Sequence, residues 1–154
     1  MATHKNDNKI NKRISFTFRQ NDFACKCGNC NNKFKFSLTL LGVLEYLVGR
    51  FKGNKILIQQ AYLCPEKAEK IYGNMKEYFS IGKAVIISIE NTSAAEVFKE
   101  AEKLNELKGI GLINSDNLLH LDVGEKERIL WVLENNEKME LTEIKRIKYE
   151  LVNS

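Results

Sequence analysis

No apolar run in this sequence reaches the roughly 18 residues that a membrane span requires. The longest candidate, Leu38 to Val48, is interrupted by Thr39, Gly42 and Glu45, so it reads as a buried amphipathic helix and no membrane partner is expected. Residues 1–13 are polar and hold no apolar stretch of signal-peptide length, which makes a cytoplasmic location the default expectation. One proline and nine glycines in 154 residues exclude a collagen-like or low-complexity chain, and no internal repeat is present. A glycine-rich phosphate loop is also missing, because Gly109-Ile-Gly111 lacks the later glycine and the lysine of such a loop.

A sizeable net excess of either sign is missing outside the leader. The formal net charge is +4, and residues 1–13 place Lys5, Lys9, Lys12 and Arg13 against Asp7 alone. A short solvated tail accounts for that excess, and nothing marks a nucleic-acid groove, so no nucleic-acid partner is expected. Histidine is scarce too. His4 lies in the leader, and His120 is the single imidazole of the remaining chain.

What is present is a globular mixture, 44% hydrophobic and 29% charged, at a length that suits one domain with a sizeable core. Ile14 to Phe18 alternates apolar and polar residues, as a short strand or extended segment would. Ser37 is placed to cap a helix running to about Phe51, with Leu40, Leu41, Leu44, Leu47, Val48 and Phe51 on one face. Pro65 suits the first position of a short helix ending near Gly73. Ser93 and Glu96 have capping-box spacing and open a helix that buries Val97, Phe98, Ala101, Leu104 and Leu107, with Gly109 as its terminator.

Strands are expected at Lys55 to Ala61, Ala84 to Ile89, Gly109 to Ile113, Leu118 to Val123 and Ile129 to Leu133. The last segment, Asn135 to Ser154, spaces Leu141, Ile144, Ile147 and Leu151 as one helix face, and reads as a C-terminal helical extension. Helices and strands mix without regular alternation, which makes this an α+β domain over residues 14–134.

Two clusters can carry chemistry. Cys25, Cys27, Cys30 and the distant Cys64 have a spacing compatible with a four-thiolate structural zinc, and equally with buried or loosely paired thiols. In a reducing compartment disulfides are the less expected use. Strand alternation puts Leu118, His120 and Asp122 on one face, with Leu119 and Leu121 on the other. A polar pair on an otherwise apolar strand needs a partner, which can be a metal, a ligand or another side chain. Asp116 and Asp122 are candidate acid–base carboxylates, or else two solvated or hydrogen-bonded aspartates.

Four blocks taken together resemble the zinc D-Ala-D-Ala carboxypeptidases and related peptidoglycan peptidases. Asp22-Phe-Ala-Cys-Lys-Cys-Gly28 is similar to the opening EFACKCG of that family, and Ala61-Tyr-Leu-Cys-Pro-Glu66 to its GYRCPEHN block. Ser80-Ile-Gly-Lys-Ala84 falls on its SxHxxGxAxD block, and Gly109-Ile-Gly111, Leu119-His-Leu-Asp122 and Trp131 resemble its GIG, VHVD and W ending. The resemblance implies a hedgehog/DD-peptidase-like fold, a small mainly antiparallel sheet with helices packed on one side.

It also implies where the chemistry of the family is gone. The His and Asp of the third block and the His of the fourth hold the catalytic zinc in such enzymes. Here the first two positions fall on Phe79 and Ile86, and only His120 survives. Leu63 stands where the family's substrate-binding arginine is expected. Phe and Ile donate nothing to zinc, and one histidine is short of the three protein ligands of a catalytic site.

The expected function is therefore that of a catalytically inactive peptidase-like domain. It would act by binding a peptidoglycan peptide or a protein partner, with no metal in the cleft and a structural zinc as an option at the cysteines. The alternatives are a residual zinc peptidase whose metal site is rebuilt from Glu77, His120, Asp122 and a cysteine, and a small interaction module stapled by cysteine-bound zinc. The sequence indicates no oligomeric state.

Overall fold

The computed structural model describes residues 11–152. The leader's residues 1–10, with His4, lie outside the described residues. Six strands form one sheet: β1 (Ile56–Gln60), β2 (Ala84–Ile89), β3 (Gly109–Ile113), β4 (Leu118–Asp122), β5 (Ile129–Glu134) and β6 (Glu137–Glu140). They run in the order β1-β2-β4-β3-β5-β6. Every neighbouring pair is antiparallel except β3 with β5. The helices are α1 (Leu38–Arg50), α2 (Pro65–Tyr72), α3 (Ala94–Glu102) and α4 (Glu143–Lys148). This is the small, mainly antiparallel α+β domain that the sequence implied. Among the described residues, no helix is long and apolar enough to cross a membrane.

The two-residue alternation of the strands divides the sheet into unlike faces. Val85, Ile87, Ile110, Leu112, Leu119, Leu121 and Val132 are fully or almost fully buried in the main core, together with the apolar stripes of α1 and α3. Phe98 of α3 and Leu40, Leu44 and Leu47 of α1 meet them there. Both helices start as their side chains dictate: the Ser37 hydroxyl accepts the Leu40 N–H, and Ser93 accepts that of Glu96. The opposite face carries Ala84 and Ile86 of β2, His120 and Asp122 of β4, and Trp131 of β5. There Ala68 and Tyr72 of α2 pack against Leu63, Phe79 and Ile86.

Three local expectations are corrected. Ile14 to Phe18 is not a strand. It is a tight loop closed by an isolated bridge between Arg13 and Arg19, with Phe18 buried and Phe16 exposed. The α3 helix ends at Glu102 rather than at Gly109, because Arg128 reaches back and donates to the carbonyls of Glu102, Leu104 and Leu107. Those acceptors, left over at a helix end, gain a charged partner in a non-helical path. Gly109 instead begins β3.

The third correction concerns the segment after Glu134, which over its described residues 135–152 is not one helix. Asn135 and Asn136 take positive φ of 50° and 62° and turn β5 back on itself, so that β6 joins the sheet with Glu134 opposite Glu137. A two-residue loop with both residues left-handed is the turn whose twist suits a hairpin, and asparagine tolerates it. Leu141 and Leu151 return to the main core, whereas Ile144 and Ile147 are exposed, so the four do not share a face. The Arg146–Glu102 ion pair, at 2.6 Å, ties α4 to the end of α3. The segment is therefore part of the domain.

Candidate metal centre and the pocket over His120

The cysteines come together by two local devices. Ala24 bridges Phe34, and the Cys25 N–H donates to the Lys33 carbonyl at 2.8 Å, closing a loop that contains Cys27 and Cys30. Gly28 turns inside it at a φ of +81°, a conformation that favours glycine. The loop is held against the chain just before α2 by the Tyr62 N–H, which donates to the Phe23 carbonyl at 3.3 Å. That contact sets Cys64, the residue immediately preceding α2, beside the loop.

The four sulfurs all lie within 4.8 Å of one another, and Cys27 Sγ is 3.7 Å from Cys64 Sγ. Four thiolates around one zinc, each about 2.3 Å from the metal, stand about 3.8 Å apart, so this cluster can bind a metal ion with little adjustment. The Asn29 N–H donates to Cys27 Sγ and is the chief cause that lowers this thiol to about 6, against the opposing effect of burial. At Cys64 the Lys67 N–H pulls the thiol down, but burial and the hydrogen bonds with Cys25 and Cys27 outweigh it and raise it. Crowded thiols that cannot all ionise are a set in which a divalent cation replaces protons. With four protein donors no position remains for water, so the chemistry available is structural rather than catalytic.

On the other sheet face, the pocket over His120 has a volume of about 250 Å³. The His120 ring is 8% exposed and Asp122 1%. Burial outweighs the carboxylate's pull and holds the imidazole below its ordinary value. Burial pushes the Asp122 carboxyl up, but the hydrogen bonds and charges of His120 and Lys126 hold it below the usual range. At neutral pH the pair is therefore neutral imidazole and carboxylate. Nε2–H of His120 donates to Asp122 Oδ2 at 2.8 Å, which leaves Nδ1 as the lone-pair nitrogen. Lys126 Nζ donates to the same oxygen at 3.1 Å, and the Gly124 N–H donates to Oδ1 at 3.3 Å.

Phe79 and Ile86 fill the space beside the imidazole. Phe79 lies on a single 3₁₀ turn, Phe79–Ile81, and its ring meets that of His120 edge to face with centroids 5.5 Å apart. Ile86 is the direct cross-strand partner of His120. Tyr72 stacks on the far side of Phe79 at 5.7 Å, and Leu63 is buried in the same cluster. No carboxylate contact is available at Leu63.

The remaining carboxylates do not assemble. Glu77 spends both oxygens on Ser80, accepting from its N–H and its hydroxyl, each at 2.7 Å. Asp116 sits exposed in the turn Asn114–Asp116 and does not line the pocket, so its pairing with Asp122 as an acid–base couple is corrected. Among the described residues, only the cysteines gather ligand atoms in threes or more within metal-binding reach. The rebuilt site of Glu77, His120, Asp122 and a cysteine is not formed.

Three glycines make room for the pocket, and the sequence reading gave none of them that role. A Cβ on Gly109 would stand 2.0 Å from Asp122 Oδ2, one on Gly111 would stand 2.1 Å from the Trp131 ring, and one on Gly124 would stand 2.3 Å from the Tyr78 ring. Lys126 and Lys138 were also missed. Each places its ammonium 4.6 Å from an aromatic centroid, over Tyr78 and Trp131 respectively. The glycine spacing was a usable signal, whereas Lys138 enters only through the hairpin. No protein-family model matches the chain, and a search of curated proteins returned no relative.

Proposed function

We propose that this chain is a non-hydrolytic binding domain of the zinc D-Ala-D-Ala carboxypeptidase-like kind. In this reading its four cysteines hold a structural zinc, and its pocket over His120 takes a peptide-like ligand such as a cell-wall peptide. One observation carries the reading. The two positions that the resemblance assigns to zinc ligands are occupied by Phe79 and Ile86, packed directly against the surviving His120.

Without a bound metal, water keeps a pKa near about 15.7 instead of about 7, and no hydroxide is available to attack a peptide bond. The pocket nevertheless keeps what binding needs: apolar walls, a few converging polar groups and concavity. A second recess, of about 570 Å³, runs from Trp131 and Lys138 past Met139 to Leu141 and shares those first two residues with the pocket. A ligand that spans both recesses across Trp131 and Lys138 would be extended rather than compact.

The test is a hydrolysis assay on D-Ala-D-Ala and muropeptide substrates with a series of divalent metals. No turnover is expected with any of them. Turnover that disappears in His120→Ala overturns the proposal.

A further inference from the structure

We propose that Lys126 and Lys138 form a seat for one anionic group, a carboxylate or a phosphate, on a ligand whose apolar part lies against Phe79 and Trp131. The inference deepens the binding reading above and rests on it. Its two lysines and Tyr78 took no part in the resemblance.

Three cations line this pocket from different elements, Lys76 from the segment after α2, Lys126 from the loop after β4 and Lys138 from β6. Lys76 lies over the Tyr78 ring, 5.6 Å from its centroid, and the seat is built from the other two. Asp122 is the single carboxylate beside them with no turn to cap, and its two oxygens are already held by His120, Lys126 and the Gly124 N–H. Lys138 has no carboxylate within salt-bridge distance among the described residues, and rests over the face of Trp131. Partial burial and then the positive charge of Lys126 hold its ammonium below the ordinary value, with Asp122 partly offsetting them. An anion placed between the two lysines relieves that repulsion and gives Lys138 the counter-charge it lacks.

The Tyr78 hydroxyl points the same way. It is shielded from solvent in a pocket-lining residue and has no hydrogen-bond partner among the described residues. Buried hydroxyls are nearly always paired, so an unpaired one on a ring that carries Lys126 over its face is a donor awaiting an acceptor. The Tyr78 ring is fixed in place by Gly124 beneath it, at a separation that admits no side chain. The donor's position is thus set by the backbone at Gly124.

Trp131 is the only tryptophan, and it lines both the pocket and the adjoining recess, so its fluorescence reports binding there and the lysine variants assign it to the seat. The purified chain is titrated with hippurate (N-benzoylglycine), phenyl phosphate and the neutral hippuramide. Saturable change is expected with at least one anion and not with hippuramide, weakening as salt is raised. Lys138→Gln, on an exposed edge strand where folding is not at stake, is expected to weaken binding about tenfold. Lys126→Gln serves as the second variant.

Hippurate binding tighter than phenyl phosphate identifies the carboxylate, and the reverse identifies the phosphate. Equal affinity for hippurate and hippuramide, an unchanged Lys138→Gln, or no saturable response to either anion overturns the seat. Hydrolysis assays on the same preparation separate the two claims. Turnover with normal anion binding removes the non-hydrolytic reading and leaves the seat standing, whereas no turnover and no anion response removes the seat alone.

Discussion

The rings of Phe79 and His120 meet edge to face at a centroid separation of 5.5 Å, and this contact puts an apolar ring beside the imidazole where a metal donor would have to stand. Phe79 is 2% exposed, stacked on Tyr72 and set in its turn by the left-handed Gly82. Replacing it with alanine is expected to cost about 3–5 kcal/mol by loss of burial and creation of a cavity, read by chemical denaturation. The double substitution Phe79→His with Ile86→Asp is expected to do the opposite of a core mutation chemically. It sets two donors beside His120 and is expected to create zinc affinity measurable by calorimetry in a chain first equilibrated with enough zinc to fill any site at the cysteines. No gain in zinc binding would mean that the assignment of these positions is wrong.

Gly111 lies under Trp131 on the central strand β3, opposite both His120 and Trp131 in register. A methyl group there would overlap the indole at 2.1 Å. Gly111→Ala is expected to cost about 2 kcal/mol through forced displacement of the ring, and to shift Trp131 emission. Unchanged emission and stability would show that the ring is not pinned by this glycine.

Acidification carries a definite sign. The folded protein holds His120 below its ordinary value of 6.5, so the unfolded chain takes up the proton first. Stability is therefore expected to fall as pH drops below about 6.5 and to level off once the folded-state value is passed. The Asp122 carboxyl, also held low, adds a further loss at pH below its ordinary 3.8. His120→Gln, which keeps a donor for Asp122 without titrating, is expected to flatten the upper part of this curve. Parallel curves for the two proteins between pH 7 and pH 5 would contradict the burial argument.

Much of the fold was legible because alternation and capping are local. The bounds of β2 and β3 coincide with their apolar runs, and Ser37 and Ser93 cap the helices they were expected to cap. Alternation also set His120 and Asp122 on the face away from Leu119 and Leu121. What failed depended on distant partners. The end of α3 is decided by Arg128, 26 residues beyond Glu102. The spacing of Leu141, Ile144, Ile147 and Leu151 imitates a helix, while the Asn135-Asn136 turn builds a strand. With the hairpin unseen, Lys138 could not be brought over Trp131, so the cationic side of the pocket was invisible from the sequence. The cysteine spacing, by contrast, left the metal open, and only the convergence of four sulfurs makes it a candidate centre.

The most direct test is zinc content by mass spectrometry on the purified chain, beside Cys27→Ser and His120→Ala. The account expects one zinc per chain in the wild type, lost in Cys27→Ser and retained in His120→Ala. Zinc that survives Cys27→Ser and disappears with His120→Ala would contradict it, placing the metal in the pocket and making the chain a peptidase candidate.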